Sequence, residues 1–188
     1  MTSICQTERL IIRRYTPDDL QDAFEIYSDP EVMHWLSVPG VNSAVKSLEE
    51  MRERLEKRFI PIDATRGPQF GRFATVLKSD GRVIGTTLLK DLDGREEVEI
   101  GWHFARRAWG HGYATEAARA VMDYGFATCG LDRIVAVVAP DNARSLAVVH
   151  RLGMNHVGRT VAYSVELEYF EVRPPLSSRA RARNKIRA

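Results

Sequence analysis

"RRAWGHGYATEAARA", residues 106–120, sets two arginines and two glycines, Gly110 and Gly112, just ahead of a helical pattern, in a chain with 13 glycines among 188 residues. A helix that begins after Gly112 presents unpaired backbone N–H groups and the positive end of its dipole, which together seat an anion. Glycine on the approach lets those amides turn inward and lets a phosphate come close without a β-carbon in the way. Strand, glycine-rich turn and helix read as a diphosphate seat, while the same glycines also fit an ordinary turn. Two nucleotide patterns are absent, since the chain has neither GxGxxG nor GxxxxGK[ST].

Immediately upstream, "EEVEIGWHFA" alternates as a strand, with Val98, Ile100 and Trp102 on one face and Glu97, Glu99 and Gly101 on the other. Downstream, the helix runs on to Gly130; "RIVAVVA" is a nearly all-apolar strand buried on both faces; "DNARSLAVVHRLG" is a helix from an Asp/Asn cap to Gly153. Further out, Asp80-Gly81 joins two strands as a hairpin, and "HVGRTVAY" and "SVELEYFEV" are the last two strands. Thr16 and Pro17 open the first helix and Pro30 ends it, so "DPEVMHWLSVPGVN" reads as an apolar-rich loop that covers something. Ser47 and Glu50 form a capping box for a helix reaching Phe59. The order β-α-α-β-β-β-α-β-α-β-β is mixed α/β, with one strand–helix–strand crossover over residues 98–139.

Length and 44% hydrophobic composition suit one domain with a substantial core. No apolar run approaches the roughly 20 residues that cross a bilayer, and the start lacks a signal-peptide pattern, so a cytoplasmic protein is expected. The net charge of +2 is uneven: every charge after Glu171 is basic, and without that tail the body is acidic. An acidic body argues against nucleic acid as a partner. Cys5 and Cys129 are far apart, and His34, His103, His111, His150 and His156 are scattered, so no metal site is expected.

The string "EIGWHFARRAWGHGYATEA" resembles the GNAT superfamily of acyl-CoA-dependent N-acetyltransferases, whose [QR]-x-x-G-x-[GA] signature is matched by Arg107-x-x-Gly110-x-Gly112. With "PDNARSLAVVHRLGM" and "SDPEVMHWL", it is similar to the branch that holds the ribosomal-protein N-terminal acetyltransferases and many small-amine acetyltransferases. The resemblance spans about residues 7–172, giving an acetyltransferase domain over 1–176 and a basic tail over 177–188. It implies a largely antiparallel central sheet, helices on both faces, and a fourth and fifth strand splayed apart. The pantetheine arm of acetyl-CoA would enter that gap, along Ile100, Gly101, Trp102, His103 and Phe104. Arg107, Gly110, His111, Gly112, Tyr113 and Ala114 would hold the diphosphate and Asn142 the pantetheine amides. Gly101 fits close approach by a ligand or, equally, a β-bulge.

Acetyl transfer to an amine needs an unprotonated amine, donors for the oxyanion and help for the departing thiolate. An alkylammonium titrates near pH 10, so a base is required at neutral pH. Glu99 is the first candidate and Glu97 the second; both also read as solvent-facing strand carboxylates, and a water chain could serve instead. Backbone N–H groups near Gly101 or Trp102 would hold the oxyanion. Many family members place a tyrosine four residues before the helix-closing glycine; Val149 stands there instead, and the resemblance assigns the thiolate to Ser145. Asn142 also reads as a plain helix cap and Ser145 as a small helix residue. Met33, His34 and Trp35 are candidates for the acceptor pocket wall or for loop packing. The partners expected are acetyl-CoA and an amine, either a small molecule or a protein N-terminus, with no metal or membrane; a homodimer is admitted. Two other readings are open: a non-catalytic acyl-CoA-binding regulatory module, and an RNA- or ribosome-associated protein that uses the arginine tail.

Overall fold

The computed structural model describes residues 3–36, 44–61 and 66–174, so the basic tail and the second half of the apolar loop lie outside it. Eight strands form one sheet in the order β1-β2-β3-β4-β5-β6-β8-β7. They are β1 (Ser3–Gln6), β2 (Leu10–Arg14), β3 (Gly71–Leu77), β4 (Val83–Asp91), β5 (Val98–Phe104), β6 (Ile134–Val138), β7 (Asn155–Ala162) and β8 (Val165–Val172). Every neighbouring pair is antiparallel except β5 and β6, whose crossover is helix α4 (Tyr113–Ala127). β5 and β6 register at one position, Glu99 opposite Val135. Beyond it, residues 100–104 pair only with β4, and the sheet opens into a V.

One face carries α4 and α5 (Ala143–Leu152), which bury Ala117, Val121, Val148, Val149 and Leu152 against Leu10, Ile12, Phe73 and Ile84. The other carries α1 (Leu20–Ser28) and α3 (Leu48–Arg54), with Ala23, Ile26, Tyr27, Met51 and Leu55 against Ala74 and Val76. The Asp80-Gly81 hairpin forms as expected, with Gly81 at φ +74° and Asp80 Oδ1 accepting from Arg82 N. Two elements depart from the sequence reading. Residues 3–6 add an edge strand against β2, too short to show an alternation. Pro30 does not merely end α1: Asp29 accepts from Glu31 N and caps a second helix, α2 (Pro30–His34), with Pro30 at its first position, where its missing N–H costs nothing. The expected capping box at Ser47 forms in modified shape, because Glu50 N donates to Ser47 Oγ while Glu50 Oε2 accepts from Lys46 N. The helix then widens at its end into a π-helical turn over Leu55–Phe59, with Ile60 N donating to the Leu55 carbonyl.

Candidate active site

A cavity of about 850 Å³ lies between β5, the start of α4 and the first half of α5. Gly112 is the N-cap of α4, at φ +78°, and Gly110 has φ +81°; both sit in the left-handed region that favours glycine. A β-carbon on Gly110 would meet nothing within 4 Å, and one on Gly112 only Arg9, at 3.8 Å. The first turn of α4 is therefore open to a ligand. Glu116 stands in that turn, where its charge would repel an anion. Burial pushes its carboxyl pKa up, but hydrogen bonds from Thr7 and Arg9 outweigh this and hold it below the usual range. Arg119, Arg144 and Arg151 line the same cavity and pair with no carboxylate among the described residues. Arg144 lies over the Trp109 ring, 4.6 Å from its centroid, and Trp109 Nε1 donates to the Phe104 carbonyl on β5.

A second cavity, about 590 Å³, opens on the α1–α3 side and shares Trp35, Leu36, Trp102, His103, Asn142 and Ser145 with the first. Its floor holds Glu99, which is only 5% exposed. Tyr163 Oη donates to Glu99 Oε1, and Lys90 Nζ lies 2.8 Å from the same oxygen. Tyr163 and Ser164 form the β7–β8 turn at φ +53° and +64° although neither is glycine. Asp93 Oδ2 accepts from Tyr163 N and fixes that turn, at 2.7 Å. His103 Nδ1 meets Tyr27 Oη at 3.1 Å, which in turn meets Thr86. Burial, with Arg72 and Lys90 nearby, pushes the His103 pKa down to about 3, so the imidazole is uncharged at neutral pH.

Two cavities on opposite sides of a splayed β5–β6 pair, meeting at Trp102 and Ser145, suit two substrates that react at the junction. A family model described as an acetyltransferase (GNAT) domain matches residues 9–155. The chain belongs to the GNAT acetyltransferase family. Among its relatives is the uncharacterized N-acetyltransferase YnaD of Bacillus subtilis, 32% identical over 152 residues, covering 81% of this chain and 82% of that one. Among solved structures, RimL, a ribosomal alpha-N-protein acetyltransferase in complex with coenzyme A, superposes with TM-score 0.72 at 15% identity, covering 92% of this chain and 98% of that one. Spermidine N-acetyltransferase from Vibrio cholerae, in complex with CoA and spermine, gives TM-score 0.69 at 18% identity, covering 89% and 96%. This chain is thus a GNAT N-acetyltransferase with the fold that its sequence resemblance implies.

In this GNAT enzyme Trp102, His103, Phe104, Gly110, Gly112, Tyr113, Ala114, Asn142 and Ser145 line the first cavity. Glu99, Ile100, Gly101, His34 and Trp35 line the second. Gly101 sits in unbroken register with β4, so it is not a bulge; a β-carbon there would press on Leu88 at 3.1 Å. Asn142 Oδ1 accepts from Ser145 N, which makes it the cap of α5 as well as a cavity residue. Val149 is fully buried in the core. Four expected site residues lie outside both cavities. Met33 is buried under α1; Glu97 is held by Arg133 and Tyr169; Arg107 is tied to Glu25 and the Val83 carbonyl; the His111 ring stacks on Tyr113. The solvent-facing reading fails for Glu99, because Tyr163 from the β7–β8 turn and Lys90 from β4 close over its carboxylate. Lys90, Tyr163, Arg119, Arg144 and Arg151 were not singled out by sequence; the one available signal was Arg144 and Arg151, seven residues apart on one face of α5.

Proposed function

We propose that this enzyme transfers the acetyl group of acetyl-CoA to a primary amine by direct attack in a ternary complex. The observation that carries this reading is the meeting of the two cavities at Trp102, His103, Asn142 and Ser145. Acetyl-CoA supplies an activated thioester carbonyl, and the residues present fit it. The N-terminus of α4, with Gly110 and Gly112, would seat the diphosphate, and Arg119, Arg144 and Arg151 the remaining phosphate charge. The unpaired edge of β5 would bond the pantetheine arm in the manner of an added strand.

On the acceptor side, Glu99 would take the proton of the incoming amine. Tyr163 and Lys90 both contact Oε1, which leaves Oε2 without a hydrogen-bond partner among the described residues. His103, uncharged at neutral pH, would orient the amine as a hydrogen-bonding group and cannot store the proton. Backbone N–H groups near Gly101 and Trp102 would face the oxyanion, and Ser145 would donate a hydrogen bond to the leaving sulfur. A screen of amines monitored by release of free CoA thiol tests the reading. Turnover that needs both acetyl-CoA and an amine is expected. CoA binding without turnover of any amine would make the chain a silent acyl-CoA-binding module.

A further inference from the structure

We propose that the acceptor of this enzyme is a primary amine that also carries an oxyanion, a carboxylate or a phosphate, held by Arg58 and Arg72. This rests on the acetyl-transfer reading and narrows it to a class of substrate.

Six charged side chains line the acceptor cavity: Arg58, Arg72, Lys90, Glu99, Asp141 and Glu166. Lys90 and Glu99 neutralise each other across β4 and β5. Glu166, at the start of β8, is engaged by Arg159 at 3.0 Å. Arg58 and Arg72 pair with no carboxylate among the described residues. Arg72 is nonetheless held in place, since Nη1 donates to the Arg58 carbonyl at 3.2 Å and its guanidinium lies 5.4 Å from the Phe59 ring centroid. Arg58 and Phe59 belong to the π-helical turn that follows α3, a local distortion that recurs at functional sites and here brings two guanidinium groups to one wall.

The opposite wall carries Asp141, between β6 and α5, beside Asn142 and Ser145. The cavity is therefore bipolar: an acidic group next to the reaction junction and two uncompensated arginines across from it. A zwitterionic acceptor matches both ends, with its amine at Glu99 and Asp141 and its anion in the arginine forks, which bind planar or tetrahedral oxyanions through paired N–H donors. A polyamine would set its second ammonium against Arg58 and Arg72, where like charges repel.

The test compares kcat/KM at saturating acetyl-CoA for an amino carboxylate, an aminoalkyl phosphate, the uncharged amide of the amino carboxylate, and spermidine. At least one oxyanion-bearing amine should exceed the uncharged amide by about 10- to 100-fold, the value of one charge-assisted hydrogen bond. The carboxylate and phosphate arms decide which anion is preferred. Arg58→Gln and Arg72→Gln should each remove most of that preference, through KM and not kcat. Arg58 is exposed, so its replacement leaves the core intact, and the thermal shift on adding CoA reports that either variant is folded. Equal rates for charged and uncharged acceptors, a preference for spermidine, or a preference that survives both substitutions would overturn the inference. Acetylation without charge preference sinks this inference alone; absence of CoA release with every amine sinks the acetyl-transfer reading and this with it.

Discussion

Lys90 Nζ stands 2.8 Å from Glu99 Oε1, and the two residues face each other in register across β4 and β5 on the floor of the acceptor cavity. In the proposed mechanism this carboxylate is the preset base, anchored on Oε1 and, among the described residues, without a hydrogen-bond partner on Oε2. Glu99→Gln should slow turnover at neutral pH far more than it weakens acetyl-CoA binding, and raising the pH should restore part of the rate as free amine becomes abundant. A wild-type pH–rate profile in Glu99→Gln would remove Glu99 as the base.

Tyr163 acts through Glu99 and not on substrate in this account. Tyr163→Phe keeps the ring but deletes the hydrogen bond to Oε1, and kcat should fall by about 10-fold, in line with one hydrogen bond to a charged group. The effect should vanish in a Glu99→Gln background. Additive losses in the double variant would show that Tyr163 works independently of Glu99.

Gly112 is required by its left-handed backbone and by the open space in front of it. Gly112→Asp would put a carboxylate and a β-carbon where the diphosphate is proposed to sit, so the thermal stabilisation by CoA should disappear. Gly112→Ala separates the two causes: it carries a left-handed strain of about 1–2 kcal/mol yet should keep a CoA shift. A full shift in the aspartate variant would place the phosphates elsewhere.

Ser145 and Asn142 should differ in kinetics. Ser145→Ala should lower kcat by about 10- to 100-fold with acetyl-CoA affinity nearly unchanged, because its proposed bond to sulfur would strengthen only as charge collects there. Asn142→Ala should raise KM for acetyl-CoA. It should also cost about 0.5–2 kcal/mol of stability, since Asn142 Oδ1 caps α5. An unchanged kcat in Ser145→Ala, measured where chemistry limits the rate, would return Ser145 to a structural role.

His103 gives the fold an acid-sensitive element. Its folded pKa of about 3 lies below the ordinary 6.5, so the unfolded chain binds the proton first. The stability it contributes is complete above pH 6.5 and is lost progressively as pH falls from there toward about 3. His103→Gln should flatten the decline of melting temperature over that range. An unchanged acid limb would mean that the buried imidazole does not control it.

The start of α4 after Gly112, the Asp80-Gly81 hairpin and the caps of α5 were legible because each depends on a few adjacent residues with special backbone needs. From sequence Pro30 reads as a stop, and in the fold it is also a start, since proline fits both the end of one helix and the first position of the next. The environment of Glu99 was not legible. Strand alternation places it on a face, but what buries it is Lys90 from the neighbouring strand and Tyr163, which arrives from a hairpin 64 residues away. Arg58 and Arg72 likewise converge only through a π-helical turn that no periodicity announces.

Initial-rate kinetics with acetyl-CoA and amine varied together test most directly whether the acetyl group passes straight across the junction of the two cavities. Intersecting double-reciprocal lines, with no acetyl group left on the protein after incubation with acetyl-CoA alone, are expected for direct transfer. Parallel lines with a trapped acetyl-enzyme would contradict it.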